Sequence, residues 1–201
     1  MGAVSSQPAA ARRFRHSVAG WARSEALFLA GVLLLVASVL GPGWLYLRHR
    51  QQLAMARSDI RTLMQAGGRY YREYGTWPCR RASEAGDARF GRRGAPNSEV
   101  LNVLRSVEGP GNPQYQLNEQ RMVFLEVEPY RTGWAGLSPD GVFLDPWGQP
   151  YEMVFDTDFD NVCDVANSIY GRLMGEGMVI WSCGPDRVSE TPDDIRSWKT
   201  R

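Results

Sequence analysis

A chain of 201 residues with 43% hydrophobic content has room for one membrane anchor and one folded domain of about 100 to 150 residues, and two folded domains would be crowded. Its 23 basic and 22 acidic residues give a formal charge of +1, which lacks the basic excess that dominates nucleic-acid binding, so no nucleic-acid partner is expected. The only histidines are His16 and His49, one near the amino-terminus and one beside the apolar stretch; a Ser-His-Asp or Cys-His site cannot be built in the domain, and there is no G-x-G-x-x-G or P-loop. The chain does not read as an enzyme.

In chain order, residues 1–20 are basic through Arg12, Arg13 and Arg15 but have no apolar core of their own, so they read as a short leader and not as a conventional secretory signal. From Ala26 to Leu47 come 22 residues without a charge. At about 1.5 Å per residue this is enough helix to cross a hydrocarbon layer of roughly 30 Å. Arg23 and Glu25 stand at the start of that span, where a carboxylate is costly unless it has a partner or a task. Arginines lie on both sides of the span, so charge alone leaves its orientation open. Gly41-Pro42-Gly43 should loosen the helix, since Pro removes a backbone donor. Beyond it Leu53, Ala56, Ile60, Leu63, Met64, Gly67, Tyr70, Tyr71 and Tyr74 recur at helical spacing and predict an amphipathic continuation, ended by Gly75-Thr76-Trp77-Pro78.

A basic segment ending in Gly20, an aromatic at Trp21, a carboxylate at Glu25, an apolar run and Pro42 together resemble the type IV pilin and pseudopilin precursor. The resemblance implies that a prepilin peptidase of the inner membrane cuts after Gly20 and methylates the new amino-terminus at Trp21. Glu25 would then pair with a neighbouring subunit's amine and set the register of the fibre, a buried carboxylate being tolerable when it is paired. Trp21, Arg23 and Ser24 depart from the family's usual pattern. Removal of residues 1–20 would leave 20 basic against 22 acidic residues, a mature charge of −2.

Cys79 to Pro96 is rich in Arg, Gly and Ala without a period and reads as a loop, which places its arginines on a solvated surface. Asn97 or Ser98 caps a short helix from Glu99 to Val107, closed by Gly109-Pro110-Gly111. Strands are predicted over Met122–Val127, Gly141–Leu144, Tyr151–Phe155 (half-buried, by its alternation) and Met178–Ser182. The fold class is therefore α+β: a long N-terminal helix, half transmembrane and half amphipathic, packed on a small antiparallel sheet. The expected organisation is a cleaved leader at 1–20, a spine helix at 21–78 with its transmembrane part at 26–47, and a globular domain at 79–201.

Between two of these strands lies Asp145-Pro146-Trp147-Gly148-Gln149-Pro150-Tyr151, where Pro fixes φ and Gly permits positive φ. This heptapeptide resembles the structural turn of the major pseudopilin of type II secretion, and Ile180 to Trp198 resembles that family's closing strand and aspartate-bearing loop. The resemblance implies a pilin-like fold, an inner-membrane subunit with its C-terminal domain in the periplasm, and partners comprising the lipid bilayer, further copies and other pseudopilins in a helical fibre, the prepilin peptidase and the inner-membrane secretion platform. It also implies Ca²⁺ in the C-terminal loop through Asp186 and Asp194, with Asp193 beside them. The chemistry agrees, because a hard cation seeking six to eight oxygens suits a loop that carries those residues and Glu190.

Asp156-Thr157-Asp158-Phe159-Asp160 looks like the start of an EF-hand loop, but Asn161 stands at its Gly position and Asn167 at its closing Glu, so it ranks as a weaker second cation candidate. Of the three cysteines, Cys163 and Cys183 flank the last predicted strands and form the favoured disulfide in an oxidising compartment; Cys79 with Cys183 is not excluded, and Cys79 with Cys163 is the least supported. Two alternatives remain for the whole chain. One is a minor pilin of a type IV pilus. The other is an anchored carbohydrate-binding module stacking sugars on Trp134, Trp147, Trp181 and Trp198.

Overall fold

The structure, a computed structural model, describes residues 18–80, 86–165 and 168–199, with the backbone alone over 18–24 and 39–42. Of the expected leader at 1–20, residues 1–17 lie outside the described residues, and at Gly20, Trp21 and Pro42 only the backbone is described. Two compact units divide the chain, one ending at Leu47 and the other spanning Arg48 to Arg201, so the amphipathic half of the helix belongs with the globular domain.

Helix α1 runs from Val18 to Tyr74, and its helical backbone continues through Gly41-Pro42-Gly43. In the first unit its apolar side chains stand exposed, among them Leu27, Phe28, Leu33, Leu34 and Leu47. The helix is long and apolar enough to cross a membrane. In the second unit the periodic stripe turns inward: Ala56, Ile60, Leu63, Ala66 and Tyr70 are buried, and Leu53, Met64 and Tyr74 pack against them. At Gly67 a Cβ would meet the Sδ of Met178 at 2.7 Å, so a larger residue there would require the Met178 side chain to shift.

After α1 come β1 (Ala88–Phe90), α2 (Ser98–Leu104), β2 (Gly136–Leu137), β3 (Phe143–Leu144), β4 (Glu152–Phe155), β5 (Val162–Val165), β6 (Gly171–Met174), β7 (Met178–Ser182) and β8 (Ile195–Arg196). The central sheet has the order β1-β4-β7-β8 and is antiparallel throughout, while β2-β3 and β5-β6 form two further antiparallel pairs. Met153, Phe155, Met178 and Ile180 join the core that contains the stripe of α1. Val154, Val179 and Trp181 alternate to the opposite face, where Cys163 and Val165 of β5 cover them. That second cover corrects the half-buried reading of Tyr151–Phe155: β4 is buried along its whole length.

Three other expectations change. Residues 88–90 are not loop but an edge strand, paired with Met153–Phe155. Met122–Val127 is not a strand. The N–H groups of Phe124 and Leu125 both donate to the carbonyl of Leu104, at the end of α2, and the Arg69 guanidinium donates to the Phe124 carbonyl, so these groups bond to α2 and α1 in place of a ladder. The short helix ends at Leu104, and the side chain of Asn97 does not cap it. Asn97 instead donates through Nδ2 to the carbonyls of Phe143 (2.9 Å) and Tyr151 (3.0 Å) and accepts from Phe143 N (2.9 Å), pinning α2 to β3 and the start of β4.

Candidate functional site

The Asp-Pro-Trp-Gly-Gln-Pro-Tyr turn is built around a buried carboxylate. Asp145 Oδ1 accepts from the N–H of Trp147 (3.0 Å) and of Gln149 (2.8 Å), and Oδ2 accepts from the Ser182 hydroxyl at 2.6 Å. Burial pushes the Asp145 carboxyl above its ordinary value, against the pull of these donors. Gly148 has φ +82°, a conformation that glycine adopts without strain, and a Cβ there would lie 3.0 Å from the Tyr130 hydroxyl, a tight approach. Tyr151 is fully buried and donates to Asp59 of α1 at 2.9 Å. Trp147 is partly buried against the core. The turn thus ties β7 and the sheet to the amphipathic helix, which is a structural role.

In the C-terminal loop the expected cation ligands are held by the loop itself. Asp186 Oδ1 accepts from Val188 N at 2.8 Å. Asp193 Oδ2 accepts from Asp186 N at 3.2 Å and its Oδ1 from the Thr191 hydroxyl. Asp194 Oδ2 accepts from Glu190 N at 2.8 Å and from the Tyr170 hydroxyl, and burial moves its carboxyl upward.

A different acidic group has the tighter geometry. One carboxylate oxygen each from Asp87, Asp156 and Asp158 lies within 4.8 Å of the others, and this is the only such trio among the described residues. Asp160 is not in it: its Oδ1 accepts from Val162 N at 2.8 Å and its Oδ2 pairs with Arg172 of β6 at 3.3 Å. The sequence reading missed Asp87, because only the register of β1 on β4 brings it there. Desolvation raises the carboxyls of both Asp87 and Asp156, and the neighbouring aspartate charges add to the rise.

The Cys163–Cys183 bridge is not formed: all three cysteines are free. Cys163 sits at the level of Val154 and Val179, with Sγ 3.1 Å from the Glu176 carbonyl. Cys183 lies four residues beyond Val179, about 13 Å along an extended chain at ~3.3 Å per residue, well beyond the roughly 7 Å between Cα atoms that a disulfide tolerates. Burial pushes the Cys183 thiol up to about 11 and that of Cys79 up to about 12. Of the four tryptophans considered for sugar stacking, Trp181 is buried, Trp147 and Trp198 pack against the two cores, and Trp134 is exposed. Compared with known proteins, the chain matches no family model, no curated protein and no solved structure.

Proposed function

We propose that the chain is a pseudopilin-like structural subunit of a type II secretion system, anchored in the inner membrane with residues 48–201 in the periplasm, and not a catalyst. The observation that carries this reading is one helix with two kinds of apolar surface: over 27–38 and 43–47 its large apolar side chains are exposed, and from Leu53 to Tyr74 its apolar stripe packs in an α+β domain. An exposed apolar run of that length needs lipid or other helices around it. Cleavage after Gly20 would free an amine at Trp21, and Glu25 of one subunit would pair with that amine of the next as subunits leave the bilayer and pack their helices. The fibre so formed, extended by the secretion platform, would push exported protein outward.

Orientation is open to direct test in cells that carry a prepilin peptidase. Protease added to the periplasmic face of spheroplasts should digest the domain after Arg48 without lysis. A domain that stays intact until the inner membrane is broken would overturn the reading.

A further inference from the structure

We propose that Asp87, Asp156 and Asp158 form a binding site for one hard divalent cation, of which Ca²⁺ is the best fit, fastening the free end of the central sheet to the β5-β6 hairpin. The site is created by strand register. Ala88 of β1 lies opposite Phe155 of β4, so Asp87, just before β1, and Asp156, just after β4, leave the ladder at the same end. Like charges held this close are unfavourable, and here a third carboxylate, Asp158, joins them within 4.8 Å.

A solvated acidic cluster would dissipate this repulsion in water, but Asp156 is only 5% exposed. One of its oxygens accepts from Asn161 N at 3.0 Å, whereas Oδ1 is buried without a hydrogen-bond partner. A buried carboxylate oxygen with no donor, next to two other carboxylates, lacks the positive charge that would offset its desolvation, and a cation supplies it. The remaining contacts hold the three residues in place. Asp87 accepts from Thr157 N at 3.3 Å and from Asp164 N of β5, and the Thr157 hydroxyl donates to the Gly86 carbonyl at 2.9 Å.

The donor set is oxygen alone, which selects a hard ion. The nearby Cys163 thiol is turned to the carbonyls of Val154 and Glu176, so it does not offer a soft ligand. Asp158 is partly exposed, which leaves one side of the site open for water to complete a shell of six to eight oxygens, and Ca²⁺ accepts such irregular coordination where Mg²⁺ demands a near-ideal octahedron. Three carboxylates on a partly open site suit the weak range of extracellular modules, with Kd on the order of 0.1 to 1 mM. The site lies wholly within residues 48–201 and does not depend on whether the chain assembles into a fibre.

The test uses the full chain in detergent, with Ca²⁺ as the probe and choline chloride at equal ionic strength as control. One Ca²⁺ per chain should be seen by calorimetry, and 10 mM Ca²⁺ should raise the melting temperature by several degrees. Asp158→Asn should weaken binding at least tenfold and cut the shift at 10 mM to about half or less. Without Ca²⁺ it should melt at or above the wild-type temperature, because a partly exposed like charge has been removed; a purely structural role for Asp158 would instead lower it. Asp87→Asn should cut the shift as well, and Asp193→Asn should keep it whole. No heat and no shift for the wild type at 10 mM, wild-type binding in both Asp158→Asn and Asp87→Asn, or loss of binding in Asp193→Asn alone would each overturn the proposal.

Discussion

Glu25→Ala is expected to abolish fibre assembly while leaving the protein inserted and folded. Glu25 is exposed in the single chain, and its unit is compact apart from the domain, so the folded domain does not rest on this carboxylate. In a packed bundle of helices taken out of lipid, the amine of Trp21 would be buried opposite an alanine. Breaking one partner of a buried ion pair costs about 3 to 5 kcal/mol, on the order of a hundredfold or more at each subunit contact. Cross-linked oligomers in membranes and sheared fibres should both fall to background, while the melting temperature of the domain stays at the wild-type value. Normal fibres from this variant would remove Glu25 from the assembly mechanism.

The largest effect on stability is expected at Asp145. Its carboxylate accepts from Trp147 N, Gln149 N and the Ser182 hydroxyl at a position with no exposure. Asp145→Ala leaves three donors facing an apolar methyl, each worth about 1 to 3 kcal/mol when buried and unsatisfied; because Trp147 and Gln149 are partly exposed, the total falls in the lower half of that sum, on the order of 3 to 5 kcal/mol. Against a typical total of about 5 to 15 kcal/mol, that is enough to leave much of the domain unfolded near its working temperature. Asp145→Asn should cost less, because the amide oxygen still accepts and the Ser182 hydroxyl can turn to receive from its nitrogen. Denaturant titration of the full chain in detergent would check both. An Asp145→Ala loss under about 1 kcal/mol would mean that water reaches the turn and replaces the carboxylate.

Both features were legible in the sequence, for different physical reasons. A 22-residue uncharged run and a stripe at helical spacing are long signals, and Ala56, Ile60, Leu63 and Tyr70 are buried where the period put them. The turn was legible because Pro and Gly have few conformations, and Gly148 adopts the positive φ that only glycine takes without strain. Short-range patterns misled where a tertiary partner decided the outcome. Met122–Val127 has strand composition, yet the N–H groups of Phe124 and Leu125 go to the end of α2. Ala88–Phe90 has too little pattern to announce a strand, so neither β1 nor the register that brings Asp87 to Asp156 could be read from the chain. The hairpin β5-β6, which buries the second face of the sheet, carries Gly171 and an exposed Met174, a composition that does not alternate as a strand should.

Processing of the amino-terminus is the step on which assembly of a pseudopilin depends. The mass of the mature protein extracted from membranes of cells with an active prepilin peptidase measures it directly. The expected chain begins at Trp21, carries one methyl group on its amine and ends the leader at Gly20; in cells without the peptidase the full precursor should accumulate. An intact precursor in peptidase-positive cells, or a cut anywhere but between Gly20 and Trp21, would contradict the pseudopilin reading.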